Sequence, residues 1–429
     1  MVFDRNYEKT YRQIVMVLSF LCSFVSTYTL IPWLLLITII LTWTDGVRGA
    51  LRALILIQAR SLLSTAVAVD IVHASIIKWI CLFFLSFYII IKCSSKIDKK
   101  VYQLILLLLL FLAYLIVATL FVSSYPIVSI TKAISFVVPF SAIIMGVSTV
   151  ENFDCIEYLT KILGVILFSG IVLIFSSRGY LVSQNSFQSI LNHPNIFGIM
   201  LAVFLAGYLY IHEGKPRLFD LFVIACVFVL IFMSSSRTAL ISATVVVATH
   251  FMFSNIRWLY KVLILLFSLI LLILALELPM FNFLNDFIYK GHDDLLYSRE
   301  DLINENLNRF YENPFIGTGF NVPYVEGVRS FEFSFDLIVE NGNFATALLG
   351  DIGIIGILIF FLCYYYIFAC GNKRYAVLFI APFIVSMGEM VFFSTNGCAI
   401  VLYFYFAAYL NNPINITNNC TNLTLNNRY

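Results

Sequence analysis

The stretch VYQLILLLLLFLAYLIVATLFV, residues 101–122, carries no charged side chain. As an α-helix rising 1.5 Å per residue it would be about 33 Å long, enough to cross a hydrocarbon core of about 30 Å. The stretch LYKVLILLFSLILLILAL, residues 259–276, repeats the pattern with Lys261 near one end. A membrane β-barrel would instead show stretches of about ten residues with alternating polarity, so runs of this kind exclude it. Composition agrees across the chain: 429 residues are 61% hydrophobic and 12% charged, whereas soluble domains average about 25% charged. The fold class expected is an all-α polytopic integral membrane protein.

Further apolar runs suggest spans near 13–30, 31–45, 76–92, 128–148, 159–175, 196–211, 218–234, 239–254, 344–369, 375–393 and 397–411. The first follows Arg5, Lys9 and Arg12 as a signal peptide would, but a second run follows at once with no small-residue cleavage site, so it reads as a retained span. Basic residues orient the set by the positive-inside rule. Lys92, Lys96, Lys99 and Lys100 form one basic loop, Lys215 and Arg217 another, Arg257 and Lys261 a third, Lys373 and Arg374 a fourth. An even number of spans separates each from the next, so one side accommodates all four.

Connections near 176–195, 234–238 and 277–343 then face outward. Residues 51–75, interrupted by Arg52, Arg60 and Asp70, fit either a short span or an interfacial helix near 52–66 with Arg60 reaching headgroups. The expected total is 12–14 crossings. The chain divides into a helix bundle (1–276), a large outward loop or cap (277–343), C-terminal transmembrane helices (344–411) and a polar, Asn-rich inner tail (412–429) expected to be disordered.

Nine cysteines form no CxxC and no Cys/His metal spacing, so they read as small core residues. The net charge of +2 gives no reason to expect nucleic acid. Walker, GxGxxG, HExxH, GxSxG and DxD patterns are absent, which argues against an ATP-driven machine, a protease and a metal-dependent nucleotide-sugar transferase. No metal or cofactor is expected.

Outward cations need a reason. Arg178 in SSRGY and Arg237 in SSSRTAL stand at outer span ends. A guanidinium presents a planar fork to phosphate oxygens and stays charged, which suits a diphosphate clamp; alternatively each reaches lipid phosphates or pairs with a loop acid. His193 and Asn195 in ILNHPNIFG open a span at Pro194, where Asn192 or His193 either caps the helix or binds polar groups of a substrate. The remaining histidines receive no role.

The outward loop is rich in acids against Lys290, Arg299, Arg309 and Arg329. SREDLINENLNRFYENPFIGTGF, 298–320, has helical spacing of Leu302, Leu307 and Phe310, a cap signal at Ser298 and Asp301, and a stop at Asn313-Pro314; Pro314, Gly317 and Gly319 permit a tight turn back. The acidic, aromatic loop YVEGVRSFEFSFD suits either sugar contact or plain solvation. Glu340 at the mouth of the next span is a candidate general base, or with Asn343 a helix cap paired to an arginine.

The order of a span-end arginine, HPNIFG, SSSRTAL, a long loop with SR…NPFIGTGF, and ENGNF…LLGDIGIIG resembles the O-antigen polymerase and O-antigen ligase superfamily of bacterial envelope glycan assembly over roughly 175–356, with LILIQARSLL and span layout in support. The resemblance implies a metal-independent helical membrane glycosyltransferase of GT-C-like architecture in the bacterial inner membrane, its active site facing the periplasm. The donor implied is undecaprenyl-diphosphate-linked oligosaccharide, and the partners a flippase and a chain-length regulator. It implies that Arg178, Arg237 and Arg299 hold the diphosphate. The reading of the residues themselves adds Glu340 as the catalytic base and His193, Asn195, Arg309 and Asn343 as contacts to glycan. Ligases of the superfamily carry His-Asn before the LLxxxGxxG span; Gly342 stands where that His would be, and Glu340-Asn341-Gly342 resembles polymerases. The expected activity is joining repeat units at the periplasmic face. The rivals are a ligase and a lipid-linked-sugar flippase, against which count a single clear mid-span charge, Lys132, and the lack of an internal repeat.

Overall fold

A computed structural model describes residues 17–151, 153–181, 186–212, 218–253, 261, 300–333, 344–393 and 398–411. The chain is an all-α membrane protein: among the described residues, seven helices are long and apolar enough to cross a membrane, and four shorter apolar helices accompany them. Ser298, Arg299, Glu340, Asn343, the run 259–276 apart from Lys261, and the tail from 412 lie outside the described residues.

The first long helix, α1 (Thr27–Ser61), is folded in two. Gly46 takes φ +58° and ψ −130°, a left-handed conformation that glycine adopts without a side-chain clash. The two limbs close so tightly that a Cβ on Gly49 would lie 1.7 Å from the Leu41 carbonyl oxygen. Past the bend, Arg48 Nη2 donates to the Glu151 carbonyl at 3.0 Å and Arg52 pairs with Asp45 at 2.6 Å. At the far end Asn192 N–H donates to the Leu62 carbonyl and Ser64 N–H to that of Ile190. The limb 47–61 thus traverses the bundle. Arg60 does not reach headgroups: it is 1% exposed and donates to the carbonyls of Ser23 and Val69. Burial among apolar neighbours makes those carbonyls the nearest acceptors, which corrects the interfacial alternative.

The next helices are α2 (Ser75–Cys93), α3 (Lys99–Val122), α4 (Pro126–Thr149) and α5 (Cys155–Ser169). Local chemistry sets their starts. Asp98 accepts from Val101 N–H, Asp154 accepts from Glu157 N–H, and Pro126 occupies the first turn of α4, where no N–H partner is needed. A short hairpin pairs β1 (Tyr180–Leu181) with β2 (Ser186–Phe187). Then come α6 (Pro194–Ile211), α7 (Leu218–Met233), α8 (Arg237–Phe253), the cap helix α9 (Glu300–Glu312), α10 (Phe344–Cys370), α11 (Val377–Gly388) and α12 (Ala399–Asn411).

α12 is buried from Ala399 to Leu410, as expected of a helix apolar on every side. The outer helices expose apolar side chains such as Leu106, Leu110 and Phe121, which in a bilayer face lipid rather than water. Inside, Phe136, Phe140, Phe320, Phe360, Phe392, Phe393 and Tyr403 form one aromatic cluster, with Phe136–Phe393 and Phe320–Phe393 centroids 4.9 Å apart. Edge-to-face pairs of this kind add about 0.5–1.5 kcal/mol each beyond burial.

Phe320 belongs to the outward loop, so the cluster also receives a loop. After α9, residues 313–322 enter the bundle between α3, α4 and α10. Helix end, Pro314 and turn glycines fall where the sequence placed them. Irregular backbone at membrane depth is tolerated only when protein satisfies its polar groups, and here it does. Ser129 Oγ donates to the Phe320 carbonyl (3.0 Å), Lys132 Nζ to the Asn321 carbonyl (2.6 Å), and Thr318 N–H to that of Gly350 (2.9 Å).

Candidate functional site at the end opposite the basic loops

Three helix ends meet at the face away from Lys92, Lys96, Lys373 and Arg374. α6 begins with His193, whose Nδ1 accepts from Asn195 N–H at 3.1 Å. That is a helix cap, one of the two readings open for this residue. α8 begins with Ser236, whose Oγ accepts from Ala239 N–H, so Arg237 occupies the first helical position. The two starts pack closely because Gly198 has no side chain: a Cβ there would lie 2.8 Å from that of Ser236. Each start also presents the positive end of a helix dipole.

α11 approaches from the basic loop at Lys373 and ends here. Gly388 packs on Thr238, next to Arg237, so tightly that a Cβ would meet Thr238 Cγ2 at 2.1 Å. The following residue, Glu389, leaves the helix in extended conformation and accepts from Asn195 Nδ2 at 3.2 Å. Arg237, Asn195, His193 and Glu389 are therefore one neighbourhood, built from residues up to 196 positions apart in the chain. Arg237, Asn195 and Glu389 are each half-buried, open enough to meet a ligand and shielded enough for charge to act strongly.

Arg178 lies at the same end but in a different setting. It is exposed on the turn before β1, and the hairpin docks through Phe187 on Phe197 of α6, centroids 5.4 Å apart. Such a guanidinium can reach a headgroup from the rim.

Arg309 is not free to contact a glycan. It is 3% exposed, and its Nη2 donates to Asp351 Oδ1 at 2.5 Å and to the Val322 carbonyl at 3.1 Å, while Nε donates to Thr318 Oγ1 at 3.0 Å. Its helical register turns it toward α10, where Asp351 is the nearest counter-charge. Asp351 Oδ2 also accepts from Asn321 N–H at 2.8 Å. These two residues staple the inserted segment and are structural.

Beside α9 lies an open cavity of about 350 Å³ lined by Asp301, Asn304, Glu305, Asn308, Glu312, Tyr324 and the stem of Arg309. Its carboxylates and amides can take hydroxyl hydrogen bonds. Tyr324 remains a neutral donor there, its phenol raised by desolvation and by the carboxylates of Glu312 and Glu326.

Glu389 and Asp351 were not singled out by sequence reasoning. The signal for Glu389 was available: it is the only acid after Asp351 in the chain, and it interrupts an apolar run at its outer end. For Asp351 the local pattern GDIGIIG gave no hint of its partner.

Residues 222–361 match the family model described as O-Antigen ligase. That segment includes Arg237, the cap helix, the inserted loop and Asp351. No curated protein and no solved structure matches the chain.

Proposed function

We propose that this chain, which carries an O-antigen ligase-family domain over residues 222–361, is the polymerase that joins lipid-diphosphate-linked repeat units of a surface glycan. One observation carries the reading: Arg237 stands at the convergence of two helix N-termini on the face opposite the basic loops, within the family segment. The positive-inside rule makes that face periplasmic. Gly342, where ligases of the superfamily carry histidine, favours polymerase over ligase.

Arg237, the helix starts and Arg178 at the rim would hold the diphosphate of an undecaprenyl-linked donor. The lipid tail fixes the donor in the bilayer plane, which supplies proximity. A hydroxyl at the non-reducing end of a second lipid-linked unit attacks the anomeric carbon, the bond from that carbon to the phosphate oxygen breaks, and lipid diphosphate leaves with the electron pair. Arginine and helix dipoles stabilise the developing charge, so a metal is not required for that task. The acceptor proton passes to a carboxylate at the same face; the sequence reading assigns Glu340. Arg299 and Asn343 remain part of the proposed site by resemblance.

The test is a lipopolysaccharide gel from a strain lacking the gene, complemented with wild type or Arg237→Ala. Core plus one repeat unit in the deletion, with the ladder restored by wild type alone, is the expected result. Bare core would move the assignment to ligase or flippase, and an unchanged ladder would end it.

A further inference from the structure

We propose that Gly198 and Gly388 are positioning residues for Arg237, holding the first turn of α8 where its guanidinium meets the leaving diphosphate, a role that rests on the glycosyl-transfer reading above. Three contacts close a triangle around that turn. α6 meets α8 where Gly198 faces Ser236, Ala239 and Ser234: a Cβ on Gly198 would lie 2.8 Å from Ser236 Cβ and 2.9 Å from both Ala239 Cβ and Ser234 Oγ. α8 meets α11 where Gly388 faces Thr238: a Cβ on Gly388 would lie 2.1 Å from Cγ2 and 2.5 Å from Oγ1. α11 meets α6 through the Asn195 Nδ2 bond to Glu389, the residue after Gly388.

The two glycine contacts bracket Arg237. Successive side chains of an α-helix are about 100° apart, so Ser236 and Thr238 lie to either side of Arg237 and point to nearly opposite sides of α8. With Ser236 seated on α6 and Thr238 on α11, the helix has one angular setting, and Arg237 takes the side between them. Little else fixes that setting. The buried residues of α8 are Ala239, Ser242, Ala243 and Val246, none of them large, so close backbone approach at the glycines seats the helix.

A contact to developing charge depends on that seat, because a displacement of about 1 Å from a change away from the chemistry can cost about 100-fold. A methyl group at position 388 has no room beside Thr238. Rotating the threonine does not relieve it, since Thr238 Cβ itself would lie 2.8 Å away. Gly388→Ala therefore moves α8 against α11 and takes Arg237 with it, while the guanidinium itself is unchanged.

The experiment is a double-mutant cycle on polymerisation in isolated membranes supplied with lipid-linked repeat units, the initial rate being taken per unit of membrane-inserted protein. Gly388→Ala is compared in the wild-type and Arg237→Ala backgrounds. Acting through Arg237, it should cost about tenfold or more in wild type and nothing further beside Arg237→Ala, whereas a merely structural defect multiplies with the Arg237→Ala loss. Adding Thr238→Ala removes the obstructing Cγ2 and Oγ1 and should recover most of the rate. Gly388→Ala without effect, with the same factor in both backgrounds, or without relief from Thr238→Ala overturns the proposal and leaves the polymerase reading intact. Arg237→Ala without effect removes the diphosphate clamp and the proposal with it. If Gly388→Ala does not accumulate, Thr238→Ala alone, which loosens the same contact without a clash, runs the cycle instead: a loss that disappears beside Arg237→Ala supports the proposal, and no loss or an equal one overturns it.

Discussion

Arg309 Nη2 lies 2.5 Å from Asp351 Oδ1, and neither side chain reaches solvent. The pair joins the cap helix α9 to the membrane helix α10, and everything between Asn313 and Val322 is folded around it. Removing one partner leaves a buried charge alone, which costs about 3–5 kcal/mol, whereas replacing both with apolar residues of similar volume is often nearly neutral. Arg309→Ala and Asp351→Ala should each lower the melting temperature of the detergent-solubilised protein sharply. Arg309→Met with Asp351→Leu should recover much of the loss. Equal melting of single and double variants would show that the pair does not act as a unit.

Gly353 provides the matching surface. Its φ of +62° opens a kink inside α10, and the loop backbone lies on it: a Cβ would stand 2.5 Å from the Phe315 carbonyl carbon. The Ile354 and Ile355 N–H groups, released by the kink, donate to the carbonyls of Pro314 and Phe315. Gly353→Ala both strains the backbone and pushes the loop off, so it should cost several times the roughly 1 kcal/mol of an ordinary helix glycine change, and with the opposite sign. Limited proteolysis of the cap would read the effect, with faster cleavage than wild type expected.

What local sequence can carry explains which parts of this architecture were legible. Spans show as long apolar runs because each helix meets lipid on its own, and α9 shows because its spacing, first-turn acids and Pro stop lie within a few turns. The doubling of α1 at Gly46 does not show: its second limb is short and shielded by neighbours, so Arg52 and Arg60 break the apolar pattern without exposing the limb to water. Asn195 and Glu389, like Arg309 and Asp351, are paired across large sequence separations, and no periodicity encodes such a meeting. Arg237 and His193 drew attention in the sequence because cations and capping residues at a span end are locally unusual.

The settings of the two outward arginines predict different losses. Arg237 is half-buried between helix starts, where a low dielectric strengthens its field; Arg178 is exposed and screened by solvent and salt. Arg237→Ala should reduce the ladder by about 100-fold or more, in the range of removing a preorganised donor to developing charge. Arg178→Ala should reduce it by about tenfold or less, roughly one exposed charge contact at 1.4 kcal/mol. Arg237→Lys should fall between, because an ammonium keeps charge but not the bidentate fork. Arg178→Ala as damaging as Arg237→Ala would place both inside the clamp.

Sidedness supports every one of these readings and has its own test. The cap helix, the 323–333 loop and the Arg237 cluster share one end of the bundle, and Lys96 lies at the other. Glu326 and Lys96 are both exposed at those ends, whereas among the described cysteines Cys81, Cys93, Cys155, Cys363 and Cys398 are buried. In intact cells, a bulky charged maleimide that does not cross the inner membrane should label Glu326→Cys well above the wild-type background and leave Lys96→Cys at that background. After the membrane is permeabilised, Lys96→Cys should label to a similar extent. The opposite pattern would invert the molecule and put Arg237 and Glu389 in the cytoplasm, where the lipid-linked units assembled for export would not yet face the polymerising side.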